Sequence, residues 1–160
     1  MKQLIENVVQ WGKDRGLDKV GHLAQAKYTL KKTAELLDAY ADGDVDKIND
    51  AIGDILVTLI VGASNDDEIL QELTELILTY KYKPLPVQDL DFFDHYEKLI
   101  FRSGMLYKYQ NYNNYQDFYV TLFWLCSSVS NLSFQDCLQL AYDEIKNRTG
   151  KLVDGQFIKD

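Results

Sequence analysis

Asp50-Ala51-Ile52-Gly53-Asp54-Ile55-Leu56-Val57, read with the earlier Lys31-Lys32-Thr33-Ala34-Glu35-Leu36-Leu37-Asp38, decides the fold. In both stretches apolar residues recur three or four apart, the period of a helix with one buried face. The same period sets Glu35 beside Asp38, and Asp50 beside Asp54. Two such helices packed antiparallel bring four carboxylates together, which is how helical bundles build divalent-metal sites from facing side chains. The alternative is a solvated acidic face, since acids three or four apart on helices are common. The expected class is all-α, an antiparallel helical bundle.

Outward from this pair the helical habit continues. Leu4, Ile5, Val8, Val9 and Trp11 predict a short amphipathic helix from Lys2 to about Asp14, with Trp11 a core or lid aromatic. Gly16 to His22 reads as a connection. A long helix follows over Leu23–Tyr40, stopped by Asp42-Gly43-Asp44, and Asp44 caps the next, over Val45–Ala63. Another runs from Glu68 to Tyr80. Lys83-Pro84-Leu85-Pro86 holds the only two prolines and is the one strong break. Beyond it lie helices over Phe92–Tyr109, Tyr115–Ser130 and Ser133–Asn147, the last opened by a Ser133/Asp136 variant of the capping box. Strand signals are confined to the tail, where Asp154-Gly155 between apolar pairs suggests a short hairpin or extended arm.

One internal echo is present. Gly53-Asp54-Ile55-Leu56-Val57-Thr58-Leu59 to Ser64 aligns without gaps on Gln116-Asp117-Phe118-Tyr119-Val120-Thr121-Leu122 to Ser127. Two readings stay open, a diverged duplication with halves 1–83 and 84–160 inside one domain, and chance likeness between amphipathic helices. Under duplication, Asp117 is a relic or a cap.

The bulk composition narrows the function. At 160 residues the chain supports one domain with a real core. A net charge of -8 argues against a nucleic-acid backbone as partner, because phosphate runs need a basic surface. A free nucleotide accompanied by a cation is still compatible. No apolar run reaches membrane-helix length and the N-terminus lacks a signal-peptide pattern, so no membrane partner and a cytoplasmic setting are expected. Cys126 and Cys137 sit in apolar stretches without metal spacing and read as buried free thiols. His22 and His95 have no ligand partner at useful spacing, and neither a phosphate loop nor a nucleophile elbow occurs.

Two segments are specific enough to carry a resemblance: Ile48-Asn49-Asp50-Ala51-Ile52-Gly53-Asp54-Ile55-Leu56 and Ala141-Tyr142-Asp143-Glu144-Ile145-Lys146-Asn147-Arg148-Thr149-Gly150-Lys151-Leu152-Val153-Asp154-Gly155-Gln156-Phe157. With the order of elements, they resemble the MazG-like all-α nucleoside triphosphate pyrophosphohydrolases, the group that includes dimeric dUTPases, and especially the short phage-type members. The resemblance covers Trp11 to Ala63 and Cys137 to the C-terminus. It implies Mg²⁺ held by Glu-Glu-x-x-Glu on one helix and Glu-x-x-Asp on the next, and cleavage of a nucleoside triphosphate to monophosphate and pyrophosphate.

Only part of that pattern is present. Glu35 and Asp54 match ligand positions and are the implied catalytic pair, while Lys31, Lys32 and Ala51 stand where the remaining glutamates belong. Asp38 and Asp50 are auxiliary metal candidates with Glu35 and Asp54. Lys146 and Arg148 resemble phosphate-facing residues, Asp143 replaces the usual Asn, and Trp11 comes from a segment that approaches the base in relatives. Lys32, three residues before Glu35, is placed to pair with it and take the metal's position. The expectation is therefore a nucleotide-binding member with weak or absent hydrolysis, Mg²⁺ being its cofactor only if active. An active pyrophosphohydrolase and a non-catalytic interaction protein are the alternatives, and a homo-oligomer through helix packing is the remaining partner expectation.

Overall fold

The computed structural model describes residues 1–80, 91–153 and 156–159, with the side chains of His22 and 151–159 outside the description. Among these residues the chain forms α1 (Lys2–Asp14), a single 3-10 turn over Leu17–Lys19, α2 (Gly21–Ala41), α3 (Val45–Ala63), α4 (Asp67–Thr79), α5 (Phe92–Lys108), α6 (Tyr112–Val129) and α7 (Phe134–Ile145). A two-stranded hairpin, β1 (Gly150–Val153) and β2 (Gln156–Lys159), closes it, with Gly150 opposite Lys159 and Val153 opposite Gln156. The all-α bundle with an extended tail is thus the architecture. The proline break and the 83/84 division fall in 81–90, and the Asp154-Gly155 turn also lies outside the described residues.

α3 is the central helix because from Ala51 to Ala63 only Asp54 and Thr58 interrupt an apolar run. Ile52, Ile55 and Ile60 are fully buried, and α3 packs chiefly against α2 and α7, with α6 and α1 behind. A helix apolar on most sides is stable only when surrounded. Gly53 allows the tightest of these contacts: a Cβ there would lie 2.1 Å from the Cys137 carbonyl oxygen and 2.9 Å from Ala141 Cβ. The second half continues the core through Phe118, Leu122 and Leu125 of α6 and Leu99 of α5.

Caps explain most boundaries. Asp44 accepts a hydrogen bond from Lys47 N at 3.1 Å and opens α3 where expected. Asp66 accepts from the Glu68 and Ile69 amides. At α7 the Asp136 amide donates to Ser133 Oγ, while the Ser133 hydroxyl donates to the Asp136 carboxylate at 2.6 Å, so the acid takes the cap's hydroxyl rather than its backbone amide. Four expectations need correcting. α6 begins at Tyr112 rather than Tyr115 because Asn111 caps it, accepting from Asn114 N at 3.1 Å. α7 ends at Ile145 rather than Asn147, and Gly16–His22 contains a 3-10 turn and the start of α2. Asp117 is not a cap: it lies inside α6 and accepts from Arg102 Nη1 at 2.6 Å. Cys126 and Cys137 are free and buried, as expected. Among the described residues no helix is long and apolar enough to cross a membrane.

Candidate functional site

Gln25, Tyr28, Lys32 and Glu35 are spaced three, four and three residues apart, so they share one face of α2. That face meets Asp54 on α3, and Lys32 bridges the two helices. Its ammonium donates to Asp54 Oδ2 at 2.6 Å and to Glu35 Oε2 at 2.7 Å, with Lys31 Nζ 3.8 Å from Glu35 Oε1. Asp54 is the more enclosed acid, its side chain 13% exposed against 42% for Glu35. Burial acts to lower the Lys32 pKa, but the hydrogen bonds to Asp54 and Glu35 outweigh it and hold the amine above its usual value.

The Lys32–Asp54 bridge lines a cleft of about 250 Å³. Trp11 from α1, Tyr28 and Gln25 from α2, and Val57 and Val61 from α3 form its walls, and Lys31 and Arg148 bring cations to it. The end of α7 is fastened over this cleft. Trp11 Nε1 donates to the Ile145 carbonyl at 2.8 Å, and the Arg15 guanidinium lies 4.8 Å from the Trp11 ring centre. Arg15 also donates to the Arg148 and Trp11 carbonyl oxygens. Arg148 itself pairs with Glu144.

The other candidates disperse. Asp50, one turn before Asp54, lines a separate groove with Asp46, Asn49, Asn131 and Glu144. It still feels the site: burial first, then the Asp54 charge, raise its carboxyl pKa, with Lys32 and Arg148 opposing. Asp38 is exposed, and its charge, after burial, raises the pKa of the Tyr96 phenol on α5. Lys146 is exposed and donates to Asp143 at 2.7 Å rather than lining the cleft. So the structure brings together Glu35, Asp54, Lys32, Trp11 and Arg148, and sets Asp38, Asp50 and Lys146 aside. Gln25, Tyr28 and Arg15 were not anticipated. The three-and-four spacing from Lys32 back to Gln25, and from Arg15 back to Trp11, was the available signal.

Mg²⁺ needs a near-octahedral set of oxygens, usually carboxylates and water. The residues present do not fit that requirement. Glu35 and Asp54 already share the Lys32 ammonium, Ala51 is buried and supplies no ligand, and Lys31 adds a second positive charge. Among the described residues no group of three or more His, Cys, Asp or Glu is placed to hold a metal ion. The cleft instead offers a fixed ammonium–carboxylate bridge, aromatic and aliphatic walls, and basic side chains at its edge. Comparisons with protein-family models, curated proteins and solved structures returned no match to this chain.

Proposed function

We propose that the chain is a binding protein for an anionic, ring-bearing small molecule, the class suggested by a cleft with aromatic walls and basic side chains at its edge. Within that class we infer a MazG-like nucleotide-binding protein, cytoplasmic, with pyrophosphohydrolase activity weak or absent. The observation that carries this reading is the position of Lys32 Nζ, 2.6 Å from Asp54 and 2.7 Å from Glu35, between the two acids that match the family's ligand positions. An ammonium there satisfies both carboxylates without a divalent ion. The bound phosphates then meet Lys31 and Arg148, and the ring meets Trp11 and Tyr28. A volume of about 250 Å³ is at the small end for a small-molecule site and is too small for an oligonucleotide.

A panel of nucleoside mono-, di- and triphosphates, screened by thermal shift with Mg²⁺ and separately with excess chelator, tests the reading. Stabilisation by at least one nucleotide, equal in both conditions, is expected, with little or no pyrophosphate released from any triphosphate. Stabilisation by none of them sinks the binding reading, and efficient pyrophosphate release that needs Mg²⁺ sinks the metal-free one. In the Lys32→Glu, Ala51→Glu double variant, Mn²⁺ binding appears, read by calorimetry without nucleotide.

A further inference from the structure

We propose that Cys126 and Cys137 form a peroxide-responsive dithiol, in which the last turn of α6 and the first turn of α7 hold two thiols in position to close a reversible disulfide. The local sequence explains the placement. Ser130 ends α6, its amide donating to the Cys126 carbonyl at 2.9 Å, and Ser133 opens α7, its carbonyl accepting from the Cys137 amide at 3.0 Å. Each cysteine therefore sits one helical turn from the connection 130–133, and both are buried. The two thiols share a hydrogen bond across the joint.

The fold gives the two sulfurs different tasks. Cys137 lies at the amino-terminal end of α7, where the helix dipole favours a thiolate, and Cys126 at the carboxy-terminal end of α6, where the dipole disfavours one. The hydrogen bond from Cys126 holds the Cys137 thiol below its usual pKa, against burial and the Asp136 charge. The same bond, with burial, pushes the Cys126 thiol up. Cys137 is thus the attacking sulfur and Cys126 the resolving one. Ser130 marks the way in: its hydroxyl lies 3.7 Å from Cys137 Sγ and donates to Asn49 Oδ1 at 2.6 Å. Asn49, with Asn131 and Leu132, lines a groove of about 410 Å³, so a single hydroxyl separates the sulfur from the groove wall. Asp46, Asp50 and Glu144 make that groove acidic, which suits an uncharged oxidant.

The Cys137 thiolate attacks one oxygen of hydrogen peroxide, the O–O bond breaks, and the departing hydroxide takes up the proton that Cys137 lost. A sulfenic acid and one water result. The Cys126 sulfur then attacks the Cys137 sulfur; the S–S bond forms, the S–O bond breaks, and the second hydroxide leaves as water with the Cys126 proton. The two thiols give up two electrons and the peroxide takes them. In a reducing compartment such a bond is transient. It ties α6 to α7, whose Cys137 carbonyl rests on Gly53 and whose far end walls the cleft at Ile145. None of this depends on what the cleft binds.

Hydrogen peroxide added to the reduced full chain, followed by mass spectrometry of the intact protein and its proteolytic fragments, tests it. The expected product is a single chain lighter by two hydrogens, with the fragments holding Cys126 and Cys137 linked and both thiols returned by dithiothreitol. In Cys126→Ser, which keeps a donor beside Cys137, dimedone traps a sulfenic acid on Cys137. In Cys137→Ser, or in Cys137→Ala if the serine variant does not fold, Cys126 is trapped at least roughly tenfold more slowly, as its smaller thiolate fraction requires. Thiols that both survive peroxide sufficient to oxidise free glutathione overturn the proposal. So do a disulfide between chains, oxidation of the two sulfurs without a link, and equal trapping of the two cysteines in the single variants.

Discussion

Lys32 determines what the site can do. Its ammonium is held by two carboxylates across the α2–α3 contact, at a side-chain exposure of 26%. Removing it while leaving Asp54 enclosed strands a carboxylate, and Lys32→Met is expected to cost about 1–3 kcal/mol, measured by urea unfolding near neutral pH. The pH dependence has a definite sign. Because the folded-state pKa is raised above 10.5, the stabilisation is fully present below that value and is lost as pH rises through the higher folded value. The wild-type advantage over Lys32→Met therefore persists from pH 7 to pH 9 and shrinks in strongly alkaline solution. An advantage that fades on going from pH 9 to pH 7 instead would contradict the pairing. The pairing with Glu35 was legible from the three-residue spacing. The pairing with Asp54 was not, because it depends on the rotation of α2 against α3, which no local pattern encodes.

At the scale of elements, α3 was readable to the residue, since Asp44 caps it and its apolar run ends at the Ser64 turn. α6 was placed three residues late because Tyr112-Asn113-Asn114 has the composition of a loop. Its helical state follows from the Asn111 cap and from Asn114 donating to the Tyr109 carbonyl at 2.7 Å. Gly53 shows a different limit. Read in sequence it is a weak point in a helix, yet in the fold it sets the distance between α3 and α7. Gly53→Ala gains helix propensity but drives a methyl into the Cys137 carbonyl and the Ala141 methyl. A net loss of about 1–3 kcal/mol is expected in chemical denaturation, whereas Gly104→Ala, with open space around it, gains up to about 1 kcal/mol. Equal effects at the two glycines would contradict this account of the packing.

Across the whole molecule, the aligned segments of the internal echo fall on α3 and α6, which pack against each other. Each carries its matched aspartate in an ion pair to a preceding helix: Asp54 to Lys32 of α2, and Asp117 to Arg102 of α5, both at 2.6 Å. The bundle class was legible because apolar period and caps are local properties. Assembly of the cleft was not, because its walls come from opposite ends of the chain. Arg15→Ala removes the bonds to the Arg148 and Trp11 carbonyl oxygens. A loss of about 1–2 kcal/mol is expected, with faster amide exchange at α1 and the end of α7 and unchanged protection in α3. Uniform loss of protection would show that the two ends do not open as a separate unit.

The fastening of Trp11 to Ile145, 134 positions apart, also bears on the order of events during synthesis. α2 and α3 are neighbours in sequence and can join the Lys32 bridge early, but the wall carrying Arg148 arrives only after α4 to α7 have been made. Contacts that close so long a loop form late and slowly. A chain that stops short of α7 would thus carry the charged bridge without the enclosure, and the walled cleft would exist only in chains that extend through Arg148.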